Sequence, residues 1–298
     1  MRVTSEVMIS RSLDRLNNRL KAYERTQSEL ATGRRILKPS DDPAGSRRAI
    51  SLRASMKTHE RHLANASDAV GWLDAADAQL QSGLERLGRV RELTVRGSTS
   101  SSMNEREALA SEIEQINEEL LGIANATHLD RPLFGGYSDG LAVERTGPGA
   151  YGFHGSGEAV TRRVSDTELV RVNTTAGEWL GEGGPDGDLL SQLDGLVADL
   201  RDPTKSAGDI GSYLDSLKAA QDVMASSLAD IGGAANRVES ARSRAEAQLL
   251  TVRTELSNVQ DVDVAEGVMD LQVQQVAYEA TLQALAKALP PSLGAFLR

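Results

Sequence analysis

Segment 31–45, ATGRRILKPSDDPAG, holds the densest group of residue types in this sequence that could do chemistry. It places two adjacent arginines shortly before two adjacent aspartates, with glycines and prolines around them. Guanidinium groups bind anions and carboxylates accept protons, so the composition alone would suit a binding loop or a catalytic turn. Whether the segment has such a role depends on the elements that position it.

Three other motifs resemble functional sites but lack the context that each chemistry requires. Residues 147–152, GPGAYG, match the G-x-G-x-x-G pattern, yet Pro148 interrupts it and no βαβ unit surrounds it, so a hairpin turn is favoured. Residues 261–267, DVDVAEG, are acidic but lack the spaced oxygens of a calcium loop. Ser156, in HGSGE, lacks the leading glycine of the hydrolase nucleophile motif.

His59 and His62 lie three residues apart on a predicted helix, a spacing at which two imidazoles could share a metal ion. No third ligand is evident near them, and His128 and His154 belong to other segments. We therefore favour a surface pair over a metal site. The sequence predicts no catalytic residue, no bound metal, no cofactor and no enzymatic activity.

The rules of helix ends give segment 31–45 a structural interpretation. Gly33 follows the last residues of a helix, where a left-handed backbone favours glycine. Asp42 and Pro43 are typical of an N-cap and the first residue of the next helix, with Asp41 near the positive end of that helix. We predict a connector whose arginines pair with its aspartates or with a neighbouring subunit. The predicted connector residues are Gly33, Arg34, Arg35, Ile36, Asp41, Asp42 and Pro43.

Composition and charge exclude several classes of protein. The chain has no Cys, which rules out disulfides and thiolate metal ligands. No apolar run reaches the roughly 18 residues of a membrane-spanning helix, and the first residues do not match a secretory signal peptide. Formal net charge is −10, with +7 in residues 1–61 and −17 in the remainder. We interpret the basic start as a solvated face or one that meets an acidic neighbour, not as a nucleic-acid site.

Both ends of the chain show the period of helices that pack side by side. Apolar residues alternate steps of three and four, which defines a narrow stripe on an otherwise polar helix. Such a helix is marginal alone, so each end requires the other end or another chain. The residues predicted to make these contacts are Leu13, Leu16, Leu20, Leu271, Tyr278, Leu282, Leu285 and Leu289.

The interior combines long helices with a small β-rich segment. A stripe from Leu52 to Leu87 predicts one helix from about Pro43 to Arg96, and further helices are predicted near 109–123, 188–201 and 245–259. Between them, residues 134–179 hold five of the ten aromatic residues and show period-two alternation typical of short strands. We predict a mainly α fold: an elongated helical rod with coiled-coil-like paired terminal helices and a β-rich insertion at its tip. The predicted domains are terminal helices 1–42 and 260–298, rod 43–132 and 186–259, and insertion 133–185.

The stretch LATGRRILKPSDDPAG resembles the N-terminal signature of bacterial flagellins and their relatives. Within this flagellin-like family, the opening MRVTSEVM, the helix REALASEIEQINEELLGIAN followed by RPLFGG, the turn YGFHGSG and the ending YEATLQALAKALPPSLGAFLR resemble the branch of hook–filament junction proteins called hook-associated protein 3. Pro290 and Pro291 depart from that pattern by interrupting the last helix.

The resemblance implies a structural subunit without enzymatic activity that forms a ring of identical subunits. Its implied neighbours are another hook-associated protein on the hook side and flagellin on the filament side. It also implies export in unfolded form by the flagellar type III apparatus, with a cytoplasmic export chaperone at the C-terminal helix, and an extracellular location without a cleaved signal peptide. Flagellin itself is the alternative hypothesis, and a surface-binding module in residues 134–179 is a third.

Overall fold

A computed structural model describes residues 2–100, 102–184 and 187–288 of the chain. The side chains of 285–288 and of several residues near the N-terminus lie outside this description. Two of the predicted contact residues are affected: the side chain of Leu285, and Leu289 as a whole, lie outside the described residues.

Helices dominate the described part of the chain, and two of them are unusually long. Helix α2 has 57 residues and α7 has 48, and neither is interrupted by proline after its first residue. Both helices thus exceed the roughly 11–12 residues of an average helix several-fold. The described helices are α1 (Arg2–Thr32), α2 (Pro43–Thr99), α3 (Met103–Ala124), α4 (Ala176–Leu180), α5 (Leu189–Arg201), α6 (Ala207–Gly211), α7 (Tyr213–Gln260) and α8 (Val264–Ala288).

The described strands form three separate two-stranded antiparallel sheets. Between β3 and β4 the register shifts near the turn, and residues 148–149 complete the reversal. Short paired strands of this kind need a surface to pack on, because an isolated hairpin is marginal in water. The strands are β1 (Thr127–His128), β2 (Arg131–Pro132), β3 (Val143–Gly147), β4 (Ala150–Phe153), β5 (Thr161–Arg163) and β6 (Leu169–Arg171).

The chain divides into two compact units. Unit 1 comprises residues 1–58 and 249–298, and unit 2 comprises residues 59–248. The helices α2 and α7 contribute residues to both units. The predicted division into domains 1–42 with 260–298, 43–132 with 186–259, and 133–185 stays a prediction.

Unit 2 contains a continuous apolar core. On α2 the buried positions from 62 onward repeat mainly in steps of four and three, so one face of its unit 2 part is covered. Trp179 and Phe134 are fully buried and meet edge to face, with ring centroids 5.5 Å apart. The hairpin residues Val143, Val160 and Val170 extend the core into the β-rich region.

Unit 1 has no comparable core in its described part. The buried hydrophobic side chains in that part are Ala49 and Leu249. Helix α1 packs along α8, and their facing positions are half-buried at best, apart from Gly267. The predicted mainly α fold with a small β-rich insertion is confirmed by the observed elements.

Candidate assembly site

Helix α1 ends where the sequence predicts, at Gly33. The backbone there is left-handed, with φ of 68°. The Arg34 N–H donates to the Glu29 carbonyl at 3.1 Å and the Gly33 N–H donates to the Leu30 carbonyl at 3.4 Å. These two bonds form the paired arrangement that closes a helix C-terminus and satisfies its last carbonyls. Gly33 is therefore required by backbone conformation rather than by contact with a ligand.

The start of α2 uses the paired aspartates as caps. The Asp42 Oδ1 accepts from the Gly45 N–H at 2.8 Å, which is the bond of an N-cap to the third residue of the helix, and Pro43 occupies the first position. The Asp41 Oδ2 accepts from the Lys38 N–H at 2.8 Å and closes the preceding turn. Both carboxylates are thus committed to the backbone.

Gly45 allows the connector to fold tightly onto the first turn of α2. A Cβ at this position would lie 2.3 Å from the Asp42 Oδ2 and 2.8 Å from the Ile36 Cδ1. Both distances are shorter than any ordinary contact. Ile36, one of the predicted connector residues, is half-buried at this point.

The connector is fastened to the junction between α7 and α8 by a short backbone pairing. The Arg35 N–H donates to the Gln260 carbonyl at 2.8 Å, and the Val262 N–H donates to the Gly33 carbonyl at 3.1 Å. Arg34 and Asp261 form an antiparallel bridge between these bonds. We call this pairing of 33–35 with 260–262 the backbone clasp.

Side chains reinforce the backbone clasp. The Arg35 guanidinium donates to the Val259 carbonyl at 3.0 Å and lies 3.9 Å from the Asp42 carboxylate. The Arg53 guanidinium donates to the Gln260 side-chain oxygen, and Gln260 is buried. The pairing of a connector arginine with a connector aspartate is therefore observed for Arg35 and Asp42.

The paired terminal helices approach closely near the backbone clasp. A Cβ on Gly267 of α8 would lie 2.8 Å from the Leu30 Cδ2 of α1, so the absence of a side chain permits this contact. Further along, Leu16 and Leu20 of α1 and Leu271 and Tyr278 of α8 are half-buried. Two predicted contact residues are more open: Leu13 is 44% exposed and Leu282 is 39% exposed.

Helix α8 carries apolar side chains beyond the face that meets α1. The buried position 267 and the half-buried positions 271, 274, 278 and 281 repeat in steps of four and three and mark the α1-facing side. Other apolar residues of α8 are exposed by 43 to 66% within unit 1: Val264, Val268, Met269, Val273 and Val276. Of the predicted contact residues of α8, Leu271 and Tyr278 lie on the α1-facing side.

The motifs that suggested other chemistry have structural roles. Residues 147–152 form the β3–β4 turn, in which the Gly149 N–H donates to the Asp194 carboxylate at 3.1 Å. His62 is buried with its Nε2 3.2 Å from the Asp166 Oδ1, so the predicted surface position is wrong for it. Asp263 caps α8 by accepting from the Ala265 N–H at 2.8 Å.

Within the described ranges, no three His, Cys, Asp or Glu side chains are grouped so that they could hold a metal ion. In the same ranges, no helix has the length and apolar content needed to cross a bilayer.

The β3–β4 hairpin is locked onto α3 and α5 by a polar network. The Tyr151 hydroxyl donates to the Asp194 Oδ2 at 3.0 Å and accepts from the Asn117 amide at 3.0 Å and the Arg145 guanidinium at 2.6 Å. Burial raises the pKa of Tyr151 to about 12, against the opposing effect of the hydrogen bond from Arg145. The network holds a turn in place and contains no nucleophile activated by a base.

Several residues of the site were not foreseen from the sequence. Gln260, Val259 and Arg53 make the contacts that hold the backbone clasp, and Gly45 and Gly267 permit its close approaches. A glycine inside a predicted helix, as at Gly267, was the available signal, because it often marks close packing of backbones.

Comparison with known proteins gives matches at both ends of the chain. The profile of the bacterial flagellin N-terminal helical region matches residues 3–137, and that of the bacterial flagellin C-terminal helical region matches residues 214–291. Flagellar hook-associated protein 3 of Salmonella typhimurium is 22% identical over 94% of this chain and 95% of its own length. Flagellin of Bacillus subtilis is 24% identical over 97% of this chain and 96% of its own length.

Solved structures share the fold. A flagellar hook-associated protein from Vibrio parahaemolyticus superposes with a TM-score of 0.69 at 21% identity, covering 74% of this chain and all of that chain. The flagellar junction protein FlgL from Legionella pneumophila superposes with a TM-score of 0.60 at 15% identity, covering 72% of this chain and 99% of that chain. With both flagellin helical regions matched over well more than half of its residues, the chain belongs to the bacterial flagellin family.

Proposed function

We propose that this protein is a structural subunit of the bacterial flagellum that forms the junction between hook and filament and assembles through its terminal helices. The observation that carries the proposal is the pairing of α1 with α8 along a face that leaves Val273 and Val276 of α8 66% exposed. An uncovered apolar side on a helix that already has one partner calls for a second partner. The full-length similarity to hook-associated protein 3 supports the junction as the place of assembly.

The partners follow from that position. A ring of identical subunits contacts another hook-associated protein on the hook side and flagellin on the filament side. Export proceeds through the flagellar type III apparatus in unfolded form, without a cleaved signal peptide, and the mature subunit is extracellular. The chain has no Cys and unit 1 has little buried apolar area in its described part, so unfolding of unit 1 before export costs little free energy and no disulfide has to be broken.

A cytoplasmic export chaperone holds the C-terminal helix before export in this proposal. The exposed valines of α8 support it, because an uncovered apolar helix face in the cytoplasm invites aggregation. No enzymatic step belongs to the proposal, and the polar groups of the connector act as helix caps and backbone fasteners.

Deletion of the gene and electron microscopy of the resulting cells test the proposal. We expect hooks of normal length without filaments, and restoration of filaments by the wild-type gene. Immunogold labelling of wild-type cells should be confined to the filament base. Full filaments on the deletion strain would contradict the proposal.

Flagellin is the second candidate, favoured by the 24% identity to Bacillus subtilis flagellin over nearly the whole chain. The same labelling separates the two functions, because a filament subunit would be labelled along the entire filament and would dominate sheared filament preparations.

A further inference from the structure

The connector and the start of α2 enclose a small cleft of about 180 Å³ in unit 1. Three cationic side chains line it: Arg34, Lys38 and Arg53. The apolar side chains of Leu37 and Ile50 lie beside them, 36% and 62% exposed. Among the described residues that line it there is no carboxylate. A volume of this size accommodates one long apolar side chain.

The cations of this cleft are not neutralised within the described part of the chain. There, neither Arg34 nor Lys38 forms an ion pair, and Arg53 binds the neutral side chain of Gln260. The nearest aspartate along the chain, Asp41, accepts from the backbone N–H of Lys38. The cleft therefore offers positive charge around an apolar centre, and a matching partner presents carboxylates around an apolar side chain.

One face of α8 has that composition. Glu266, Met269, Asp270 and Val273 stand at positions i, i+3, i+4 and i+7 of the helix, so they share one side of it. Met269 is 61% exposed and Val273 is 66% exposed, while Glu266 and Asp270 form no ion pair in the described ranges. We call these four residues the acidic face of α8.

The acidic face of α8 lies away from α1. The positions that meet α1 include Gly267, Leu271 and Tyr278, which point to a different side of the helix. Because Met269 is mostly exposed within its own copy, it does not fill the cleft of that copy. The contact therefore requires a second copy of the chain.

We infer that the connector cleft of one copy receives the acidic face of α8 from a neighbouring copy, with Met269 seated between Leu37 and Ile50. Glu266 and Asp270 then face the cations of the cleft. Methionine suits a cleft of irregular shape because its side chain is unbranched and adaptable. The opposite charges of residues 1–61, net +7, and the remainder, net −17, favour the same contact between copies. This inference rests on the proposed function, since it names one contact between the subunits of the assembled ring.

Disulfide cross-linking in assembled flagella tests the inference directly. The native chain has no Cys, so every cross-link comes from introduced residues. Cells would produce equal amounts of two full-length variants, Ile50→Cys and Met269→Cys, and isolated flagella would be oxidised and separated without reductant. We expect a dimer that contains one copy of each variant. The matched control replaces Met269→Cys by Leu250→Cys, which is 68% exposed on α7 of the same unit, and should give no heterodimer.

A charge exchange between the two chains tests the electrostatic part. Lys38→Glu added to the Ile50→Cys chain should lower the cross-linked fraction about fivefold, because an exposed attraction becomes a repulsion. Glu266→Lys added to the Met269→Cys chain should then restore it to within about twofold of the original. If Lys38→Glu abolishes the heterodimer and Glu266→Lys does not restore it, the pairing of Lys38 with Glu266 is contradicted.

The outcomes also separate this inference from the proposed function. If both variants are present in flagella but form no disulfide-linked heterodimer between positions 50 and 269, the inference is overturned and the proposed function stands. Absence of the wild-type protein from isolated flagella would overturn both.

Discussion

The two units of this chain bury their apolar residues to different extents. Unit 2 covers Trp179, Phe134, Leu193 and many other side chains completely. Unit 1 covers two hydrophobic side chains in its described part and leaves the valines of α8 open. Since burial of apolar area is the main favourable term in folding, unit 2 is expected to be stable alone and unit 1 to depend on neighbours. Similar helical patterns in the two units therefore differ in how much stability they give the isolated chain.

Of the changes considered, truncation of residues 282–298 should separate the two units most, because it should abolish assembly without affecting unit 2. It removes Leu282, which is partly exposed, and the apolar residues that follow in the sequence. We expect loss of incorporation into flagella, while the thermal unfolding of unit 2, followed by circular dichroism, is unchanged. Normal incorporation of the truncated chain would break the assigned role of the terminal helix.

Trp179→Ala should destabilise unit 2 by about 3–5 kcal/mol, because it leaves a cavity in a close-packed core. Val273→Ala in α8 is the matched control in unit 1 and should change the free energy of unfolding of the monomer by no more than about 0.5 kcal/mol. Urea unfolding monitored by circular dichroism measures both. Equal destabilisation by the two variants would contradict the difference between the units.

Gly33→Ala should destabilise the end of α1 by about 1–2 kcal/mol, because a residue with a Cβ is strained at φ of 68°. No atom lies within 4 Å of the added Cβ, so new packing contacts would not offset this strain. Gly122→Ala, a helical glycine with open space around it, is the control and should not destabilise. Amide exchange of residues 29–35 would show the effect locally. Unchanged exchange there would mean that the backbone clasp does not depend on this turn.

The smallest effect concerns two tyrosines of unit 2. Burial raises the pKa of Tyr151 and that of Tyr213 to about 12 each. Because an unfolded tyrosine ionises near pH 10, this contribution to stability is present below about pH 10 and is lost as pH rises towards 12. Absorbance at the tyrosinate band should show a late component that disappears in Tyr151→Phe/Tyr213→Phe. A wild-type titration without that component would contradict the raised pKa values of Tyr151 and Tyr213.

Helices α2 and α5 were predictable because their patterns are locally consistent, whereas α7 was predicted only near 245–259 and spans Tyr213–Gln260. Helix α2 was predicted from about Pro43 to Arg96 and spans Pro43–Thr99, and α5 was predicted over 188–201 and spans Leu189–Arg201. Helix capping by Asp42 and the turn at Gly33 also followed from residue types. Such features depend on neighbours within a few residues, which a sequence displays directly.

The features that escaped prediction depend on contacts distant in sequence. The side of α8 that meets α1 includes Gly267, which permits the close approach of Leu30, and Gln274, whereas Val264 and Val268 are exposed. A pattern of apolar residues cannot choose between two adjacent stripes on one helix. The burial of His62 likewise depends on a hairpin about a hundred residues away.

Hydrogen exchange of the unassembled full-length chain, followed by mass spectrometry, tests the central claim most directly. Amides of α1 and α8 should exchange within seconds to minutes, whereas those of α3 and α5 should be protected up to the global unfolding of unit 2. Assembly into flagella should then protect α1 and α8. Equal protection of α8 and α5 in the unassembled chain would contradict the account.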